Sequence, residues 1–169
     1  MSAFASQGYE NTTQPVEKSG SRIRSWVQAV PKGGLEMGSK KQVIGGPLEI
    51  GGRVLSLSRA IRAGDFVFLT GQIPMRDGVP MTDGTVEEQT RAVLDDITKT
   101  LAEAGCIRDD VVKAMVWLRE RDDFPGFNAV YADYFPVEPP TRSAVVSDLL
   151  VDARIEVEVV AYRPLEDQS

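Results

Sequence analysis

Two stretches near the end of the chain combine residue types that can do chemistry. PPTRSAVV, residues 139–146, sets Arg142 into apolar, strand-like sequence, and RIEVEVVAY, residues 154–162, does the same with Glu156 and Glu158. A guanidinium offers two parallel N–H donors that match a carboxylate and stays charged at physiological pH. A carboxylate nearby can take up and return a proton. From the residues alone Arg142 has two readings, an anchor for an acidic ligand or a structural ion-pair partner of Glu156 or Glu158. Glu156 likewise reads as a proton carrier or as a solvated strand residue, and Glu158 as a structural or interface charge.

The chain has no histidine. Ser-His and Cys-His nucleophilic systems, histidine general bases and histidine-ligated metals are therefore excluded, and chemistry must run on carboxylates, Arg, Lys, Tyr, hydroxyls, backbone amides or water. The formal net charge of −6 removes the basic footprint expected of a nucleic-acid binder, so no nucleic-acid partner is expected. No apolar stretch approaches the roughly 20 residues that cross a bilayer, and MSAFASQGYENTTQPVEKSG at the start lacks both a basic and an apolar signal region. The expectation is a cytoplasmic protein without membrane contact. Cys106 is the one cysteine, which excludes an intrachain disulfide and reads as an incidental thiol.

These residues need elements to position them. Residues 1–20, rich in Ser, Thr, Gln and Asn, read as a disordered tail, and 21–52 as an extension packing on the body, with an apolar cluster from Ile23 to Val30 and paired glycines. None of the glycines forms a phosphate-binding motif. RVLSLSRAIR and DFVFLTGQI read as two strands joined at Ala63-Gly64. TVEEQTRAVLDDITKTLAEAGC carries apolar or small residues at helical spacing, with Thr85 and Glu88 as a capping box and Gly105 as the stop. VVKAMVWLRE alternates as a strand. DDFPGFNAVYADYF gives a second helix, with Asp123 as its cap and Phe124, Phe127, Tyr131 and Tyr134 or Phe135 facing the sheet. RSAVV and RIEVEVVAY complete the order β-β-α-β-α-β-β, an α+β fold with two helices on one face of the sheet. In the last strand Ile155, Val157, Val159 and Ala161 point one way, and Arg154, Glu156, Glu158 and Val160 the other. Leu, Met and Trp on both faces of other strands make the second face too apolar for water, which predicts a homo-oligomer.

SRAIRAGDFVFLTGQIP, TVEEQTRAVLDDI, VVKAMVWLRERDDFPGFNAVYADYF and PPTRSAVV followed by IEVEVVAY together resemble the Rid/YjgF family of imine and enamine deaminases over about residues 53–163, which implies a domain at 53–165. The resemblance implies a chorismate-mutase-like fold, a mixed sheet, a homotrimer around a central barrel, and ligand clefts between subunits that bind small carboxylates. It implies hydrolysis of small 2-imino or 2-enamino acids to 2-keto acids and ammonia, without metal or cofactor. By position, Arg142 matches the arginine that holds the substrate carboxylate and Glu156 the acid that positions or activates water. Thr70 and Gly71 match the cleft residues before GQIP, and Phe124 and Asn128 match a DFxxxN pattern lining the site.

Two departures stand out. Leu57 replaces a frequent tyrosine, which implies a bulkier or more apolar substrate, and Ala144 replaces a frequent cysteine prone to modification. Two other functions fit the same residues: a non-catalytic trimeric module that binds 2-keto acids through Arg142, and an endoribonuclease, which the acidic charge and absent histidine disfavour.

Overall fold

The computed structural model describes residues 41–50 and 52–165. The readings of residues 1–20, of the Ile23–Val30 cluster and of the extension up to residue 40 lie outside the described residues. Within them run β1 (Gln42–Ile50), β2 (Arg53–Ala63), β3 (Phe66–Leu69), a small hairpin of β4 (Met75–Arg76) and β5 (Val79–Pro80), α1 (Val86–Glu103), β6 (Val111–Leu118), α2 (Phe124–Tyr134), β7 (Thr141–Val146) and β8 (Ile155–Tyr162).

The six long strands form one sheet in the order β1-β2-β3-β8-β6-β7. Only β6 and β7 run parallel, the crossover between them being α2. β1 lies in the stretch read as extension, yet it continues the sheet by pairing antiparallel with β2, with irregular register around Gly45 and Pro47. The turn between β2 and β3 falls at Gly64-Asp65, one residue later than expected, with Gly64 at φ 60°, a conformation an L side chain resists.

Helix α1 begins and ends where its sequence signals lie. The Thr85 hydroxyl accepts from Glu88 N at 3.3 Å, and the Glu88 carboxylate accepts from Thr85 N at 3.0 Å, so two donors that would otherwise be orphaned are satisfied. At the other end Gly105 takes φ 71°. Buried Arg62 of β2 donates to Ala104 O at 2.7 Å and to Arg163 O at 3.0 Å, placing a cation where the helix dipole is negative. Val93, Leu94, Ile97 and Leu101 of α1 and Phe127 and Val130 of α2 are buried against Ala114, Val116, Ile155, Val157, Val159 and Ala161 of the sheet. The period-two reading of the last strand therefore holds, with Ile155 through Ala161 beneath the helices.

Two details of α2 differ from expectation. Asp123 makes no side-chain cap; its carboxylate turns to Arg154 Nη1 at 2.7 Å, because an ion pair with a strand neighbour outcompetes a neutral backbone donor. Phe124 is not buried with the rest of the stripe but is 43% exposed, standing at the first position of the helix with its ring centre 6.2 Å from that of Phe127.

Opposite the helices, Phe66, Phe68 and Tyr162 are exposed, with Phe66 and Tyr162 rings 5.1 Å apart. Met115, Trp117, Glu156, Glu158 and Val160 alternate onto that face and are half-buried.

Candidate functional site

Arg142 is held in place by the helix that crosses over it. On β7 it is level with Ala114 of β6, a buried residue of the helix-covered face. Its guanidinium carbon lies 4.5 Å from the Tyr131 ring centre, 4.9 Å from that of Phe127 and 5.9 Å from that of Phe124. Nη2 donates to Asn128 Oδ1 at 2.9 Å. The four α2 residues follow from helical spacing, Phe124 with Asn128 and Phe127 with Tyr131 each standing one turn apart, so the aromatic stripe on α2 and the arginine on β7 meet. Phe127 and Tyr131 read from sequence as core aromatics only; they are core and cation platform at once, and their i, i+4 spacing carried that signal.

Among the described residues Arg142 forms no ion pair, so the structural reading that ties it to Glu156 or Glu158 is not realised. A half-buried guanidinium resting on ring faces and fixed by one neutral acceptor keeps donors for an anion. The Tyr131 hydroxyl beneath it is buried without a hydrogen-bond partner among the described residues, and burial pushes it up to about 12, against the opposing pull of Arg142.

Glu156 belongs to the other face. It pairs in register with Trp117 of β6, one residue out of phase with the buried Val116. Burial, followed by the Glu158 charge, holds its carboxyl above the ordinary carboxylate range. Gly71 is its immediate neighbour: a Cβ built there would collide with Glu156 Oε1 and come within 3.1 Å of the carboxyl carbon. The reason for glycine is thus close approach rather than dihedral freedom. The Gly71 segment is fixed by the bridge next to it, where Gln72 N donates to Val157 O at 2.8 Å and Val157 N to Gln72 O at 2.9 Å. Thr70 N donates to Arg59 O at 3.0 Å as β2 and β3 part. Thr70 and Gly71 border a cavity of about 350 Å³.

The sequence-derived residues therefore form two clusters within one protomer. Arg142, Asn128 and Phe124 gather at the α2-covered edge, and Thr70, Gly71 and Glu156 gather around the end of β3. Leu57, 41% exposed on β2, contributes to neither cluster's contacts or cavity. No group of three or more Asp, Glu, Cys or His among the described residues could hold a metal ion. Cys106 is buried, and burial raises its thiol, so it lacks the character of a nucleophile.

Comparison with known proteins agrees with this architecture. The family model described as Endoribonuclease L-PSP matches residues 53–163. A RutC family protein of Pyrococcus horikoshii is 44% identical over 108 residues, covering 63% of this chain and 86% of that protein. The mitochondrial protein Mmf1 of Saccharomyces cerevisiae is 36% identical over 107 residues, covering 63% of this chain and 74% of its own. The crystal structure of yeast Mmf1 superposes with a TM-score of 0.66 at 32% identity, over 73% of this chain and 98% of that one. A Rid protein family member of Yersinia pestis, described as of unknown function, gives 0.64 at 34% identity, over 72% and 98%. With the family model spanning most of the chain and solved Rid structures sharing the fold, this protein belongs to the Rid/YjgF family.

Proposed function

We propose that the protein is a cofactor-free hydrolytic deaminase of small 2-imino and 2-enamino carboxylic acids, releasing 2-keto acids and ammonia. The observation that carries this reading is Arg142, a half-buried arginine stacked on Tyr131 and Phe127, held by Asn128 and without an acidic partner among the described residues. Such a group is built to receive a carboxylate from outside the chain.

The two clusters occupy different faces of one sheet, so one substrate touches both only if a second copy supplies one of them. The exposed apolar face of Phe66, Phe68 and Tyr162 supports that assembly, and we take it to be a homotrimer with sites between subunits. The steps then balance without metal. With its nitrogen protonated, the imine carbon is electrophilic. Water adds to it, forming a C–O bond as the C=N π pair moves to nitrogen, and the Glu156 carboxylate receives the proton that water loses. That proton passes from Glu156 to nitrogen, and the carbinolamine hydroxyl then gives its own proton back to the Glu156 carboxylate as the C=O bond forms, the C–N bond breaks and ammonia leaves. An enamine enters the same course after protonation at carbon. The Thr70 hydroxyl and the Gly71 amide orient the water or the substrate.

A carboxylate whose proton affinity is raised by burial is suited to this carrier role, which supports Glu156. Among the described residues no helix is long and apolar enough to cross a membrane; some relatives are named as mitochondrial, and a cytoplasmic site of action remains the proposal for this chain.

The test generates 2-iminobutyrate or 2-aminoacrylate in place, with an amino-acid oxidase or lyase, and follows keto-acid release. The protein should accelerate it, and Glu156→Gln should lower turnover by about 10²- to 10⁴-fold, the usual size of general acid–base catalysis. Binding of 2-oxobutyrate with no acceleration of either substrate would instead favour a non-catalytic carboxylate-binding module. The nuclease description of the family model would gain support only from RNA cleavage that survives Arg142→Ala in rigorously purified protein.

A further inference from the structure

Eleven arginines in the described region differ sharply in what their side chains do. Arg76, Arg91, Arg119, Arg154 and Arg163 pair with aspartates, and buried Arg62 serves backbone carbonyls. Arg53, Arg108 and Arg121 are exposed. Two are half-buried, Arg142 and Arg59, and neither has an acidic partner among the described residues. Arg59 goes further, since its guanidinium makes no hydrogen bond or ring contact there either. Partial burial of a cation without compensation is unfavourable, so a site that retains one is waiting for an anion.

Arg59 lines the same cavity of about 350 Å³ that Thr70 and Gly71 border, between the β1-β2 arm and α1. Its other charged walls do not neutralise it. Asp96 is occupied by Lys99 at 2.8 Å, while Glu49 and Asp77 are exposed at the rim, where solvent screens them. Glu103 approaches the Arg59 stem over Gly45, its Oε2 lying 3.1 Å and Arg59 Cδ 3.6 Å from a Cβ built at that glycine, but it forms no ion pair.

We propose that Arg59 binds a second acidic group, so that the preferred substrates are 2-imino or 2-enamino dicarboxylic acids with a short carbon chain between the two acids. This rests on the deaminase reading above. The first carboxylate lies on Arg142, the reacting carbon lies beside Gly71 and Glu156, and the remaining chain passes Thr70 into the Arg59 cavity, whose volume accommodates a few carbons and a carboxylate. The replacement of a family tyrosine by Leu57 had pointed to a bulkier or more apolar substrate; Arg59, two residues on, assigns the extra bulk an acidic end instead.

The experiment measures binding of 2-oxoglutarate and 2-oxobutyrate by calorimetry, for the wild type and for Arg59→Gln, beside hydrolysis of the imines that an oxidase makes from glutamate and 2-aminobutyrate. The wild type should prefer the diacid by about tenfold or more, the scale of one charge-assisted hydrogen-bonded pair, and Arg59→Gln should erase most of that preference. A wild type that does not discriminate, a variant that keeps the preference, or no binding of either acid overturns the assignment. If the preference exists and is lost in the variant while neither imine is hydrolysed, the deaminase reading fails and Arg59 remains a diacid anchor. If both imines are hydrolysed without discrimination, the deaminase reading stands and the Arg59 assignment falls.

Discussion

At the scale of single residues, the contact between Gly71 and Glu156 joins catalysis to stability. Because burial raises the Glu156 carboxyl, the folded chain keeps a proton there at pH values where the unfolded chain has released it. Stability from this group therefore falls as pH rises from the ordinary value of 4.5 through the raised folded value, and the deficit persists above it. Thermal denaturation across pH should find Glu156→Gln equal to the wild type in acid, increasingly more stable through that window and ahead by a constant margin above it; a constant difference at every pH would contradict it. Gly71→Ala should behave differently. The added methyl meets the movable end of Glu156 rather than backbone, so melting temperature should change little while kcat falls, as steady-state kinetics would record. Asp123 shows the limit of local reading at this scale, since a favourable cap residue was diverted by a cation on a neighbouring strand.

Among the elements, α1 is the one whose ends its own sequence specifies, through the Thr85–Glu88 box and Gly105. Thr85→Ala should cost about 1 kcal/mol, measurable as a lower midpoint in urea with an unchanged slope. α2 is the element that matters for binding. Its Pro125 is tolerated in the first turn, and Gly126 lets it approach α1, where a Cβ would come within 2.7 Å of Val86 Cγ1. That close fit sets the height at which Phe127 and Tyr131 meet Arg142. Strand β1 was less legible, because its Gly45-Gly46-Pro47 run suggests loops, and the pairing with β2 accommodates it only through register irregularities.

For the whole molecule the exposed apolar face is the decisive feature. Phe66 and Phe68 on β3 and Tyr162 on β8 occupy the face away from the helices, in a chain whose net charge of −6 would otherwise keep it dispersed. Analytical ultracentrifugation should give a species of roughly three times the 18.5 kDa chain mass, as closed cyclic symmetry requires for a trimer. Phe68→Asp should yield monomers that retain native far-ultraviolet circular dichroism but lose deaminase activity, since each would carry only separated halves of the site. Active monomers would rule out sites shared between subunits.

By itself the sequence determined the alternation that buries Ile155, Val157, Val159 and Ala161, the caps of α1, the order of the helices and long strands from residue 53 onward though not the small β4-β5 hairpin, and the exclusion of histidine chemistry. Those are properties of nearest neighbours along the chain, where spacing and turn chemistry act directly. Only the tertiary structure decided that Arg142 rests on Tyr131 and Phe127 instead of pairing with Glu156, that Gly71 presses against that carboxylate, and that Arg59 has no side-chain partner among the described residues. Such choices depend on which distant strands become neighbours and on how much water each charge loses there, and neither quantity is written in local spacing.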